Sequence, residues 1–151
     1  MYQVLLSLHS ILRWVVLIGL LVAIYRGTHG ALTKKQFSNF DNKIRHYTAT
    51  MAHLQLIVGL CLYFVSPVIS YFLHHFKDAL HLREIRFFGM EHSIMMVVAI
   101  VIITIGSMRT KRALEKKHQL MATWYAVALL IILISIPWPF SPMASRPFLR
   151  F

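Results

Sequence analysis

The chain has 151 residues, 58% of them hydrophobic and 14% charged, whereas a water-soluble domain of this size is close to half apolar and a quarter charged. Its 16 Lys+Arg against 5 Asp+Glu give a formal charge of +11, which gathers in two connections and so reads as a topology signal, making nucleic-acid binding unnecessary. One cysteine, Cys61, excludes an internal disulfide framework and every cysteine-based zinc or iron-sulfur motif.

A helix that crosses a hydrocarbon core of about 30 Å needs roughly 20 mainly apolar residues. The first segment to meet this need runs from Tyr2 to Tyr25. It has no basic leader and no small-residue cleavage site, so it is expected to stay in the mature protein. A connection with Arg26, Lys34, Lys35, Lys43 and Arg45 follows, and then a second span from Tyr47 to Val65. Pro67 removes a backbone donor and ends or kinks that helix. Residues 68–86 mix Tyr71, Phe72, Phe76, Leu80 and Leu82 with His74, His75, Lys77, His81 and Arg83, the pattern of an amphipathic interfacial segment. The third span is Phe87 to Met108, the next connection holds Arg109, Lys111, Arg112, Lys116 and Lys117, and the fourth span is Gln119 to Ile136. Three prolines (Pro137, Pro139 and Pro142) stop the last helix, and Trp138 and Phe140 suit an aromatic anchor in the tail 137–151.

This pattern predicts an all-α, integral membrane four-helix bundle forming a single transmembrane domain over residues 1–151. The positive-inside rule places both basic connections in the cytoplasm and both termini on the outer side of the membrane.

Ionisable side chains inside a span cost free energy, face the bundle interior and mark function. Here they are His9 and Arg13 in the first span, His53 in the second, and Glu91 and His92 in the third. At about 1.5 Å per residue, His9 lies roughly 10 Å below the outer boundary and His92 roughly 9 Å. His53 lies about 20 Å below it, too deep to share one centre with the other two.

Two histidines at equal height on separate helices suit the axial positions of a six-coordinate haem. Small and soft residues near His92 (Gly89, Met95, Met96 and Ala99) leave room for a flat macrocycle. Arg13 shares the face of His9 and can hold a haem propionate or pair with Glu91, and Arg83 and Arg86 can serve a propionate at the outer surface. With no Cys-x-x-Cys-His motif, the haem would be b-type. The bland alternative is interhelical hydrogen bonding by these histidines together with Ser10, Thr48, Thr50, Gln55 and Ser93. Two further sets offer ligands: His74, His75 and His81 in the outer segment for copper or zinc, and the thioethers of Met90, Met95 and Met96 near His92 for Cu(I), although methionine also fills irregular cores without any ligand. No nucleophile-base pairing or phosphate loop is present, and an enzyme is the least favoured class.

The motifs His9-Ser10-Ile11-Leu12-Arg13-Trp14, Arg45-His46 followed by Ala52-His53-Leu54-Gln55, Gly89-Met90-Glu91-His92-Ser93, and Ile136-Pro137-Trp138-Pro139-Phe140 carry a resemblance over nearly the whole chain. They resemble small four-helix membrane proteins of Bacteroidota-type bacteria labelled cytochrome b-like. The resemblance implies His9, His53 and His92 as haem-ligand candidates. Because the fourth span has no histidine at depth, His53 is left to bind quinone, relay a proton or hydrogen-bond Arg13.

The leading expectation is one haem b between His9 and His92, with Arg13 and Arg86 as further cofactor-binding residues. The protein would then transfer electrons as a small subunit or assembly partner of a respiratory complex, in contact with lipid, other membrane subunits or quinone. A non-catalytic scaffold with a buried polar network, and a copper- or other metal-handling membrane protein, are the alternatives.

Overall fold

A computed structural model describes residues 1–142 and 144–148. Among the described residues there are seven α-helices and one π-helical turn: α1 (Tyr2–Leu32), α2 (Asn39–Val65), α3 (Pro67–His74), α4 (Phe76–Ala79), α5 (Arg83–Arg86), the π turn (Phe87–Glu91), α6 (His92–Arg112) and α7 (Lys117–Ser135). Among the described residues there is no β-strand. Four helical stretches, Tyr2–Leu32, Asn39–Val65, Arg83–Arg112 and Lys117–Ser135, are long and apolar enough to cross a membrane. The chain is a multi-pass membrane protein built as an up-and-down helical bundle. Its large apolar side chains also face outward, among them Ile18, Leu21, Ile57, Leu130 and Ile134. Helices that are apolar all round fit a lipid solvent and not water.

The two basic connections are shorter than the sequence pattern predicts. α1 runs on to Leu32 and α2 begins at Asn39, so Arg26 and Arg45 lie within helices. Paired polar groups allow this. The carboxylate of Asp41 accepts from Arg26 Nε at 2.8 Å and from the Ser38 amide at 2.9 Å, closing a capping box at the start of α2. Arg45 is buried and donates to Asn42 Oδ1, to the Ser107 carbonyl at 3.1 Å and to the Ser107 hydroxyl. At the other end of this turn Lys34 is left-handed (φ 51°), and the Lys35 amide reaches back to the Gly30 carbonyl at 3.1 Å, a Schellman closure.

The core is built from small residues. Ala23, Ala52, Ala99 and Ala128 are fully buried, and such positions let helix backbones approach closely where lipid supplies no hydrophobic drive for association. Gly27 lies against the His118 carbonyl and Ala122, and Gly106 lies against Trp124 Cβ. Tyr125, fully buried, donates its hydroxyl to the Arg45 carbonyl at 2.7 Å, joining α7 to α2.

The stretch 68–86, expected to be an amphipathic interfacial helix, is divided among three short helices, α3 to α5. Its close link to the bundle is Gly89, where an added Cβ would overlap the Phe72 ring of α3. The tail predicted over 137–151 folds back on the termini end of the bundle as far as Phe148. Met143 and residues 149–151 of that stretch lie outside the described residues. Arg13 and Trp14 both donate to the Phe148 carbonyl, Trp14 at 3.1 Å, and Trp14 meets Trp138 edge-on at 6.2 Å between ring centroids. Arg146 pairs with Glu84 and lies 5.1 Å from the Phe88 ring.

Candidate intramembrane cofactor site

The third spanning stretch changes its winding just before His92. The π turn Phe87–Glu91 closes with the His92 amide on the Phe87 carbonyl, five residues back. A π turn shifts the register of every following side chain and displaces carbonyls from their usual donors. Two side chains meet that need, Ser93 Oγ on the Phe88 carbonyl and Tyr63 Oη on the Gly89 carbonyl, both at 2.9 Å.

His92 is then fixed by the end of α7. The carbonyls of Leu133 and Ser135 would accept from the amides of residues 137 and 139, but both residues are proline. Two ring N–H groups replace those donors. Trp138 Nε1 donates to Leu133 at 2.8 Å, and His92 Nδ1 donates to Ser135 at 2.7 Å. With Nδ1 carrying the proton, the lone pair of His92 is on Nε2. This is the arrangement of a metal-ligating histidine whose second nitrogen is held by a carbonyl.

His9 and His92 line one cavity of about 560 Å³. Arg13 from α1, Gln55 and Gly59 from α2, Met96 from α6, Ile132 from α7 and Arg146 from the tail complete its wall. The two imidazoles and the Arg13 guanidinium are within electrostatic reach of one another. Gly59 leaves room for the His9 ring, since a Cβ there would lie 3.2 Å from His9 Cε1. Gln55 Nε2 donates to the His9 carbonyl at 3.0 Å and ties α2 to α1 at this level.

Three buried polar atoms along this wall have no protein partner: His9 Nδ1, Arg13 Nε and Gln55 Oε1. Buried polar atoms are rarely left so, because each one costs the full desolvation of its group. The cavity reaches the membrane-facing surface between α2 and α6, where Leu60, Ile94 and Val97 line it and are themselves exposed. Two side-chain contacts join α2 to the third spanning stretch, Tyr63 Oη on the Gly89 carbonyl and His53 Nε2 with Thr104 Oγ1 at 2.8 Å.

No protein-family model, curated protein or solved structure matches this chain. The site therefore rests on its own geometry.

The remaining sequence-predicted residues fall elsewhere. His53 faces Thr104, whose hydroxyl is spent on the Ile100 carbonyl at 2.7 Å and so accepts from the imidazole. It contributes to the α2–α6 contact and not to the cavity wall. Arg86 pairs with Glu91 at 2.7 Å and donates to the Leu80 carbonyl, so Glu91 is joined to Arg86 and not to Arg13. Among the described residues, no three His, Cys, Asp or Glu side chains converge on a point. His74 turns to the Ser70 carbonyl, and His75 stacks on Tyr71. Gln55 and Arg146 were not singled out for the site by sequence reasoning. The signal for Gln55 was present, because it lies about one helical turn after Ala52, a small residue on the buried side of α2. Arg146 carried none, since only the fold-back of the tail brings it there.

Proposed function

We propose that this protein binds one b-type haem in the cavity between α1 and α6 and serves one-electron transfer in a bacterial inner membrane. The observation that carries the reading is that two imidazoles on different helices face one apolar cavity, one of them with its Nδ1–H already held by a carbonyl. Such a cavity lies within the size range of cofactor sites. The orphaned polar atoms of His9, Arg13 and Gln55 fit an occupant with both apolar and polar parts. His9 and His92 would hold the iron, and Arg13 and Arg146 are the cations at hand for the propionates. A haem held there supplies reversible one-electron chemistry.

The chain's own residues do the rest. The Ser135 carbonyl fixes the tautomer and orientation of His92. Gly59 sets the depth to which His9 reaches. The aliphatic wall excludes water, and the gap between α2 and α6 gives an apolar molecule a path from the bilayer. With both basic connections on the cytoplasmic side, the cavity lies in the outer half of the membrane, where a neighbouring respiratory subunit or a quinone can exchange electrons with it.

The test is an absorption spectrum of protein purified from haem-sufficient cells. A Soret band is expected, lost in His9→Ala and in His92→Ala but kept in His118→Ala, whose ring packs at the opposite end of α1 against Gly30 and Phe37. A purified, folded protein with no Soret band overturns the reading in favour of a structural polar network.

A further inference from the structure

A second site lies at the basic end of the bundle, far from the cavity. Ile105, Met108, Arg109 and Arg112 share one face of α6 at helical spacing. With Ala113 and Leu120 they line a groove between α6 and α7. One end of the groove is aliphatic, and the other carries two guanidinium groups.

The position of Arg109 is built in. An added Cβ at Gly106 would overlap Trp124 Cβ, so the absence of a side chain there lets the indole lie close on α6. The Arg109 guanidinium stands over that indole, 5.2 Å from the ring centroid. This cation–π contact orients the charge without consuming its N–H donors. Three other arginines have carboxylates (Arg26 has Asp41, Arg86 has Glu91 and Arg146 has Glu84), and Arg13 and Arg45 are spent on carbonyl, amide and hydroxyl oxygens. Among the described residues, Arg109 and Arg112 have no such partner. Two cations, one of them oriented by the indole, beside an aliphatic groove at the basic end of a membrane-spanning helix are complementary to one kind of molecule.

We infer that this groove binds an anionic phospholipid, the phosphodiester on Arg109 and Arg112 and an acyl chain along Ile105, Met108 and Leu120. A free phosphate would leave the aliphatic end uncovered, and a zwitterionic lipid would bring its own cation to the two guanidinium groups.

The test uses Trp124 as its reporter, in the full chain carrying W14F and W138F and reconstituted in phosphatidylcholine vesicles. Bromine-labelled phosphatidylglycerol is expected to quench Trp124 at about a tenfold lower mole fraction than bromine-labelled phosphatidylcholine. R109Q/R112Q should abolish that preference and R109K/R112K should keep most of it. Equal quenching by the two lipids, a preference that survives R109Q/R112Q, or reversal by millimolar inorganic phosphate would overturn the inference. Should the tryptophan replacements fail to fold, native mass spectrometry decides with all tryptophans in place. Phosphatidylglycerol must stay bound to the unaltered chain after delipidation and be lost from R109Q/R112Q, and retention by both, or by neither, refutes it.

Discussion

The Nδ1–H of His92 donates to the carbonyl of Ser135 at 2.7 Å, and it does so where Pro139 has removed the amide that α7 would otherwise have offered. Two distant stretches, Glu91-His92-Ser93 and Ser135-Ile136-Pro137-Trp138-Pro139, thus share one hydrogen bond. The cost of losing it does not depend on any cofactor. His92→Ala is expected to destabilise the protein by about 1–3 kcal/mol in detergent, the penalty of an unsatisfied buried carbonyl. Pro139→Ala restores an amide to α7 and should recover about 1 kcal/mol of that loss in a double-mutant cycle. Strict additivity of the two substitutions, measured by denaturant unfolding, would show that the carbonyl does not depend on His92.

Gly89 and Phe72 make the second coupled pair. A methyl group at Gly89 overlaps the Phe72 ring, which is buried and T-stacked on Phe76 at 5.3 Å. Gly89→Ala should cost about 1–3 kcal/mol through overpacking. Phe72→Leu in the same chain should return part of that stability, whereas alone it destabilises. By contrast Gly19→Ala meets only the Thr48 side chain at 3.1 Å and is expected to be milder. Thermal melting of the four variants in one detergent gives the ranking.

Asp41 serves two partners at the basic end, the Ser38 cap and Arg26. Asp41→Ala removes the reciprocal cap of α2, worth about 1 kcal/mol, and leaves Arg26 without its carboxylate. Asp41→Asn should keep part of the cap but not the ion pair. In a cycle with Arg26→Gln, the coupling should be present for the native aspartate and absent for the asparagine. Glu115→Ala, exposed and outside any ion pair among the described residues, serves as the neutral control.

The proposed orientation is open to direct chemistry. Leu114 is 97% exposed in the short connection between α6 and α7. In a chain with Cys61 replaced by Ser, a cysteine placed at Leu114 should react with a membrane-impermeant maleimide only after inner-membrane vesicles are inverted or cells are permeabilised. A cysteine at Met1 should react from the outside. The reverse pattern would place the cavity in the cytoplasmic half of the bilayer.

By itself the sequence determined the solvent, the number of spans and the candidate polar residues. These are written in local pattern: runs of about 20 apolar residues, basic clusters between them, and the rarity of His9, Arg13 and His92 inside those runs. Matching depth on different helices was legible too, because a helix rises by a fixed amount per residue. The tertiary structure decided which polar groups meet. Arg26 and Arg45 could be counted as loop charges until helix extension drew them against Asp41 and Ser107. Glu91 went to Arg86 through the π turn, a winding that no spacing rule discloses. Arg146 reached the cavity because the proline-stopped tail folds back across the helix ends. Side-chain partnership depends on helix rotation and on chain reversal, and both are set by small-residue packing between helices distant in sequence. The pairing of His9 with His92 in one cavity, and of His92 with Ser135, therefore belongs to the fold.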